Sequence, residues 1–205
     1  MEQLINNVMN MERVRLQGSA EAGKMPSINK LIDAKFIEQR KIFLWGQVDD
    51  DSAQDIVSKL LYMESVAPGE KITFFINSPG GAVTSGFSIL DTMNLISSPV
   101  STVCMGLAAS MGSLLLSAGQ KGERYIYPLA EVMIHQPSMG FIQGSASDLE
   151  IHVRQIEKTR QISAEILSKN CGCPIEQVLA DIDRDYWMNA DESIAYGIVD
   201  KMYKM

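Results

Sequence analysis

Histidine is the scarcest chemically active residue in this 205-residue chain: there are two, His135 and His152. Cysteine is nearly as rare, with Cys104, Cys171 and Cys173. The first shortage limits histidine-based catalysis to two candidates and excludes a His-rich metal centre. The second excludes a four-cysteine zinc site within one chain. An odd cysteine count, with Cys171 and Cys173 separated by Gly172 alone, does not read as a disulfide framework, because a bridge across one residue is strained. Reduced thiols and a cytoplasmic location are expected. No apolar run approaches the ~20 residues needed to span a bilayer. Residues 1–10 lack a cationic stretch followed by an apolar one, so a secretory leader is not expected either. Basic charge is also short: 18 Lys and Arg against 25 Asp and Glu leave a net charge of −7. That is a poor basis for holding a phosphate backbone, so nucleic acid is not an expected partner.

What is present is enough for a folded core. Apolar residues make up 46% and charged residues 21% of the chain, ordinary values for a globular domain, and the length fits one. Residues 1–26 end in the polar, turn-rich run from Gly18 to Pro26 and read as a mobile arm or removable extension. Residues 27–205 read as the folded domain. Strands are expected at 41–45, 72–76, 100–105, 124–126, 131–134 and 198–199. Helices are expected at 50–64, 83–96, from about 110, at 145–170, from Pro174 to 179, and after Asn189 and Asp191. On the first of these, Ile56, Leu60 and Met63 share a face; on the long one, Leu149, Val153 and Ile156 form a stripe. Strands alternating with helices imply a layered α/β fold with mostly parallel pairing.

Four segments carry chemistry. In Met105-Gly106-Leu107-Ala108-Ala109-Ser110-Met111-Gly112-Ser113 a strand runs out into small residues and a serine stands where a helix begins. That setting exposes a hydroxyl and presents free N–H groups and positive potential to a developing oxyanion. The same position is also a common helix cap, so the segment alone leaves both roles open. In Val132-Met133-Ile134-His135-Gln136-Pro137 the histidine follows an apolar strand and faces either a cleft or the core. His152 lies mid-helix among charged neighbours and reads as solvated. In Asp181-Ile182-Asp183-Arg184-Asp185-Tyr186-Trp187 the acids read either as a surface charge cluster or, beside large aromatics, as a partly buried group able to orient an imidazole. Gly80-Gly81, after Pro79, is either a simple turn or a corner whose backbone N–H reaches a ligand. The chain order Ser, His, Asp differs from the Ser, Asp, His order of α/β-hydrolases.

Together these motifs resemble the ClpP family, the proteolytic subunits of the Clp protease. The resemblance runs from about Ile28 to Val199 and is carried by Phe75-Ile76-Asn77-Ser78-Pro79-Gly80-Gly81, Met105 to Gly112, Met133-Ile134-His135-Gln136-Pro137 and Asp183-Arg184-Asp185. It implies a crotonase-like α/β fold, a spiral of β-β-α units with a protruding helical handle at about 138–171. It places Ser110 on the family's nucleophile, His135 on its general base and Asp185 on the orienting acid. The backbone N–H groups of Gly81 and Met111 fall on the oxyanion hole, and Asp183 and Arg184 on positions of ring-to-ring ion pairs. It further implies heptameric rings stacked as a tetradecamer, unfolded polypeptide substrates and a separate AAA+ unfoldase of the Clp type. No Gly-x-x-x-x-Gly-Lys-Ser/Thr phosphate loop occurs, so ATP is expected to be used by that partner; neither metal nor cofactor is expected on this chain. Competing readings are a catalytically silent scaffold subunit and an acyl-CoA enzyme of the same fold class. An intact Ser, His and Asp set disfavours both. The region before Ile28 lacks the family's usual start, and Ser138-Met139-Gly140-Phe141-Ile142-Gln143-Gly144 lacks its Gly-Gly-aromatic pattern and is one residue longer. These departures set the expectation of a diverged paralogue that assembles with a second isoform.

Overall fold

The structure is a computed structural model that describes residues 27–138 and 144–204. The expected arm at 1–26 and residues 139–143 of the altered segment at 138–144 lie outside the described residues. The chain divides between Phe36 and Ile37 into two compact units. Helix α1 (Ile28–Glu38), which the sequence reading did not single out, begins in the first unit and buries none of its residues.

The second unit is built on a parallel sheet. Its elements are β1 (Lys41–Trp45), α2 (Asp50–Val66), β2 (Ile72–Ser78), α3 (Val83–Leu95), β3 (Val100–Ala109), α4 (Met111–Ser117), β4 (Arg124–Ile126), β5 (Glu131–Ile134), α5 (Ala146–Cys171), α6 (Ile175–Asp181), β6 (Tyr186–Met188), α7 (Ala190–Tyr196) and β7 (Lys201–Met202). The main path runs β1-β2-β3-β4-β7, with β5 branching from β3 and β6 pairing with β5. All pairs are parallel except β5 with β6. Parallel strands are covered on both faces, and β2 reads accordingly as an almost unbroken apolar run in which Phe74, Phe75 and Ile76 are all buried.

Helix ends follow their capping signals. Asp49 and Ser52 form a reciprocal capping box on α2, as do Ser145 and Asp148 on α5 and Asn189 and Glu192 on α7. Helix α5 stops at Gly172, which is left-handed with φ 78°. The expected face of α2 is buried through Ile56, Leu60 and Met63. On α5 the only buried residues are Ser163, Ala164 and Leu167, and Leu149 and Val153 of the expected stripe stay exposed. Its N-terminal part therefore has an apolar stripe without cover in the single chain.

Three readings need correction. The last strand is Lys201–Met202, not 198–199. Ile198 and Val199 are buried, but they follow the left-handed Gly197 and plug the core as a turn, with the Ile198 amide bonded to Ser193 O. Apolarity without alternation could not separate plug from strand. Strand β3 continues to Ala109, past its expected end at 105, because Leu107 to Ala109 find a new pairing partner in β5. Strand β6 was not foreseen; two of its three residues, Tyr186 and Trp187, are exposed and it gives no alternating signal.

Candidate active site

Strand β3 delivers Ser110, the residue between its end and the start of α4. Ser110 has φ 54° and ψ −122°. Among the described non-glycine residues only it and Arg40 have positive φ, a conformation that costs on the order of 1–3 kcal/mol. The strain is held by packing on both sides: Ser110 N donates to Met133 O at 2.9 Å, and Ser113 N and Leu114 N donate back to Ser110 O at 3.0 and 3.3 Å. The Ser110 hydroxyl makes no capping hydrogen bond to α4. It lies instead 2.9 Å from His135 Nε2.

Strand register explains how residues far apart in sequence meet. Strand β5 runs parallel to β3 with Ala109 opposite Met133, so the residues leaving both strands, Ser110 and His135, emerge side by side. Strand β6 runs antiparallel to β5 with Ile134 opposite Tyr186. The residue after Ile134 therefore faces the residue before Tyr186, and His135 Nδ1 is 3.2 Å from Asp185 Oδ1. Gln136 fastens this arrangement: its backbone N donates to Ile182 O at 2.6 Å and its side-chain Nε2 to Asp183 O at 2.8 Å.

The Gly80-Gly81 corner packs against the same place. A Cβ on Gly80 would stand 2.7 Å from Ser110 Cβ and 2.9 Å from Met111 N, and one on Gly81 would stand 2.1 Å from Val48 O. With φ 91° and 150° as well, the corner admits only glycine. Ser78 shapes it by accepting from Gly80 N at 3.0 Å. Val48 locks it through Val48 N to Gly80 O at 2.8 Å and Ala82 N to Val48 O at 2.7 Å. Among the described residues no acceptor bonds the Gly81 or Met111 amide. A small apolar cleft formed by Val83, Met111, Leu114, Ile134 and Leu167 opens beside Ser110 and His135. The larger cavity, about 420 Å³, lies elsewhere, at the C-terminal ends of α3, α4 and α5, and contains none of these groups.

Of the two readings of the 181–187 segment, the structure shows the surface cluster: the Asp185 side chain is 60% exposed and that of His135 is 24% exposed. Tyr186 and Trp187 themselves face solvent and give Asp185 no cover. Asp183 and Arg184 are exposed too, with Asp183 3.8 Å from Arg160 on α5 and 3.9 Å from Arg184. His152 sits on α5 near Asp148 and is not brought to Ser110. Sequence reading passed over Ser78 and Gln136, whose only signal was adjacency to the Gly-Gly and His motifs. Among the described residues no three His, Cys, Asp or Glu side chains gather as a metal-ligand set. Burial pushes the Cys104 thiol up to about 12, which keeps it protonated.

A family model described as Clp protease matches residues 25–205. The chain belongs to the Clp protease family. Membership makes it a peptidase of the serine type. Among the described residues no helix is long and apolar enough to cross a membrane.

Proposed function

We propose that this chain is the proteolytic subunit of a Clp protease, a serine endopeptidase acting through Ser110, His135 and Asp185. The observation that carries this reading is the direction of the Ser110 hydroxyl, which leaves the helix end uncapped and meets His135 Nε2 at 2.9 Å. With Asp185 accepting from Nδ1–H, the imidazole presents an unprotonated Nε2 to the serine. His135 removes the Ser110 proton as Oγ attacks a peptide carbonyl, and the Gly81 and Met111 amides hold the oxyanion. The imidazolium then protonates the leaving amine, and water hydrolyses the acyl-enzyme. Substrate lies as an added strand between the segment after Gly81 and the segment after Pro137.

The fold is read as the crotonase-like spiral, with α5 as its handle. The uncovered stripe of Leu149 and Val153 supports burial of the handle against another copy, within heptameric rings stacked as a tetradecamer. Asp183 and Arg184 are read as inter-ring contacts, and a second isoform as a ring partner. An AAA+ unfoldase of the Clp type delivers unfolded polypeptide and hydrolyses the ATP in the cytoplasm. Ser110→Ala tests the chemistry: peptide cleavage falls by on the order of 10⁶ while the particle assembles normally. Cleavage near the wild-type rate would remove Ser110 from the mechanism.

A further inference from the structure

We propose that Asn77 is a positioning residue of this site: its carboxamide oxygen holds the bulge in β3 that aims Ser110. The proposal rests on the serine peptidase reading above. Up to Ile76, β2 and β3 pair residue for residue, ending at Ile76 opposite Cys104; the next pair is Ser78 opposite Ala108. Two steps along β2 thus match four along β3, and the surplus bulges out at 105–107. The other edge of β3 changes partner at the same place. Thr102 to Cys104 pair with β4, while Leu107 to Ala109 pair with β5. The bulge is the fork at which one strand leaves the main sheet and enters the branch that carries Ser110 and His135.

A bulge breaks the ladder and strands a backbone amide. Here that amide is Leu107 N, and its acceptor is a side chain: Asn77 Oδ1 at 3.1 Å. Gly106, with φ 91°, closes over the same oxygen, and a Cβ there would stand 2.8 Å from it. Asn77 is itself fixed, since its carbonyl accepts from Gly46 N at 2.9 Å and its backbone pairs with Trp45. The edge strand β1 therefore holds Asn77, and Asn77 holds the bulge three residues before Ser110. Leu107 cannot slide back into ladder pairing while this bond stands, and the strained Ser110 backbone keeps its register with Met133.

Three variants of the full-length protein test this against a short fluorogenic peptide: Asn77→Leu, which keeps the branched shape and removes the acceptor, Asn77→Asp, which keeps the acceptor, and Ser110→Ala. Displacing a reacting group by about 1 Å lowers rates by on the order of 100-fold, so Asn77→Leu is expected to lose kcat on that scale with KM unchanged. Asn77→Asp is expected to retain kcat, whereas a role that needed only the branched shape would leave both variants active. Gly106→Ala, which crowds the same oxygen, carries the comparison if Asn77→Leu does not fold. Wild-type kcat in Asn77→Leu, or equal losses in the Leu and Asp variants, would overturn the proposal. An active Ser110→Ala would instead overturn the peptidase reading on which it rests.

Discussion

At Ser110, the backbone and side chain give the same indication. A serine that merely capped α4 would sit in extended backbone and accept from an amide of the first turn. Ser110 does neither, since its φ is positive and its hydroxyl meets His135. The scarcity of histidine makes the residue-scale prediction sharp. His135→Ala is expected to abolish peptide cleavage, and His152→Ala, on the exposed part of α5, to leave kcat at the wild-type value. Steady-state cleavage of a short peptide by the two variants, each checked for assembly, decides it; a dead but correctly assembled His152→Ala would refute the assignment. The segments themselves stood out in the sequence, as a serine after small residues, a His-Gln-Pro turn and a Gly-Gly corner, but each alone left a structural role open and only their combination pointed to a site. The sequence left the exposure of Asp185 as one of two readings, because burial of an acid depends on what covers it, and here the neighbouring aromatics turn outward.

At the scale of elements, charged pins tie strand and helix ends together. Arg124 on β4 donates to both Asp200 oxygens, through Nη2 at 2.6 Å and Nε at 2.9 Å, and to Asn170 O at 2.9 Å, tying β4 to the approach to β7 and to the end of α5. Burial alone would raise the Asp200 carboxyl, but hydrogen bonds and charge from Arg124 outweigh it and the net shift is downward. Removing the acid leaves a buried guanidinium unpaired, so Asp200→Ala is expected to destabilise by about 3–5 kcal/mol in denaturant melts. A loss under about 1 kcal/mol would place the pair among the weak surface bridges.

Glu64 is a second pin, accepting from the Ser97 hydroxyl and from the Ser97 and Ser98 amides. Led by the Ser97 bond, these hold its carboxyl down to about 2 from an ordinary 4.5. A depressed folded-state pKa adds stability that is fully present above the unfolded value and is lost as pH falls through the folded one. The Tm gap between wild type and Glu64→Gln is therefore expected to be constant near neutrality and to shrink as pH drops from about 4.5 towards about 2. A gap independent of pH would contradict the assignment. The main strands and helices were readable from period and caps. The β3 bulge and β6 were not, because pairing partners distant in sequence decide both.

On the scale of the whole molecule, the single chain leaves its most informative surfaces bare. The stripe on α5 has no cover, and Asp185 faces solvent. An acid that far exposed orients an imidazole weakly in water, and the proposed assembly would strengthen it by covering the 181–187 segment. Specific activity per subunit is thus expected to rise with protein concentration in parallel with the assembled fraction seen by native mass spectrometry. Activity that stays constant while particles dissociate to single chains would show the site to be complete without partners. The layered α/β arrangement and its mostly parallel pairing were implied by the sequence. Assembly was implied only through family resemblance, since an apolar stripe on a helix does not say which surface covers it.

The central claim is that Ser110 is the nucleophile activated by His135. Treatment of the assembled protein with a fluorophosphonate, followed by peptide mapping of the adduct, tests it most directly. The predicted result is a single adduct on Ser110, absent in Ser110→Ala and strongly slowed in His135→Ala, with peptide cleavage lost in step. An adduct on another residue, or cleavage that survives in Ser110→Ala, would contradict it.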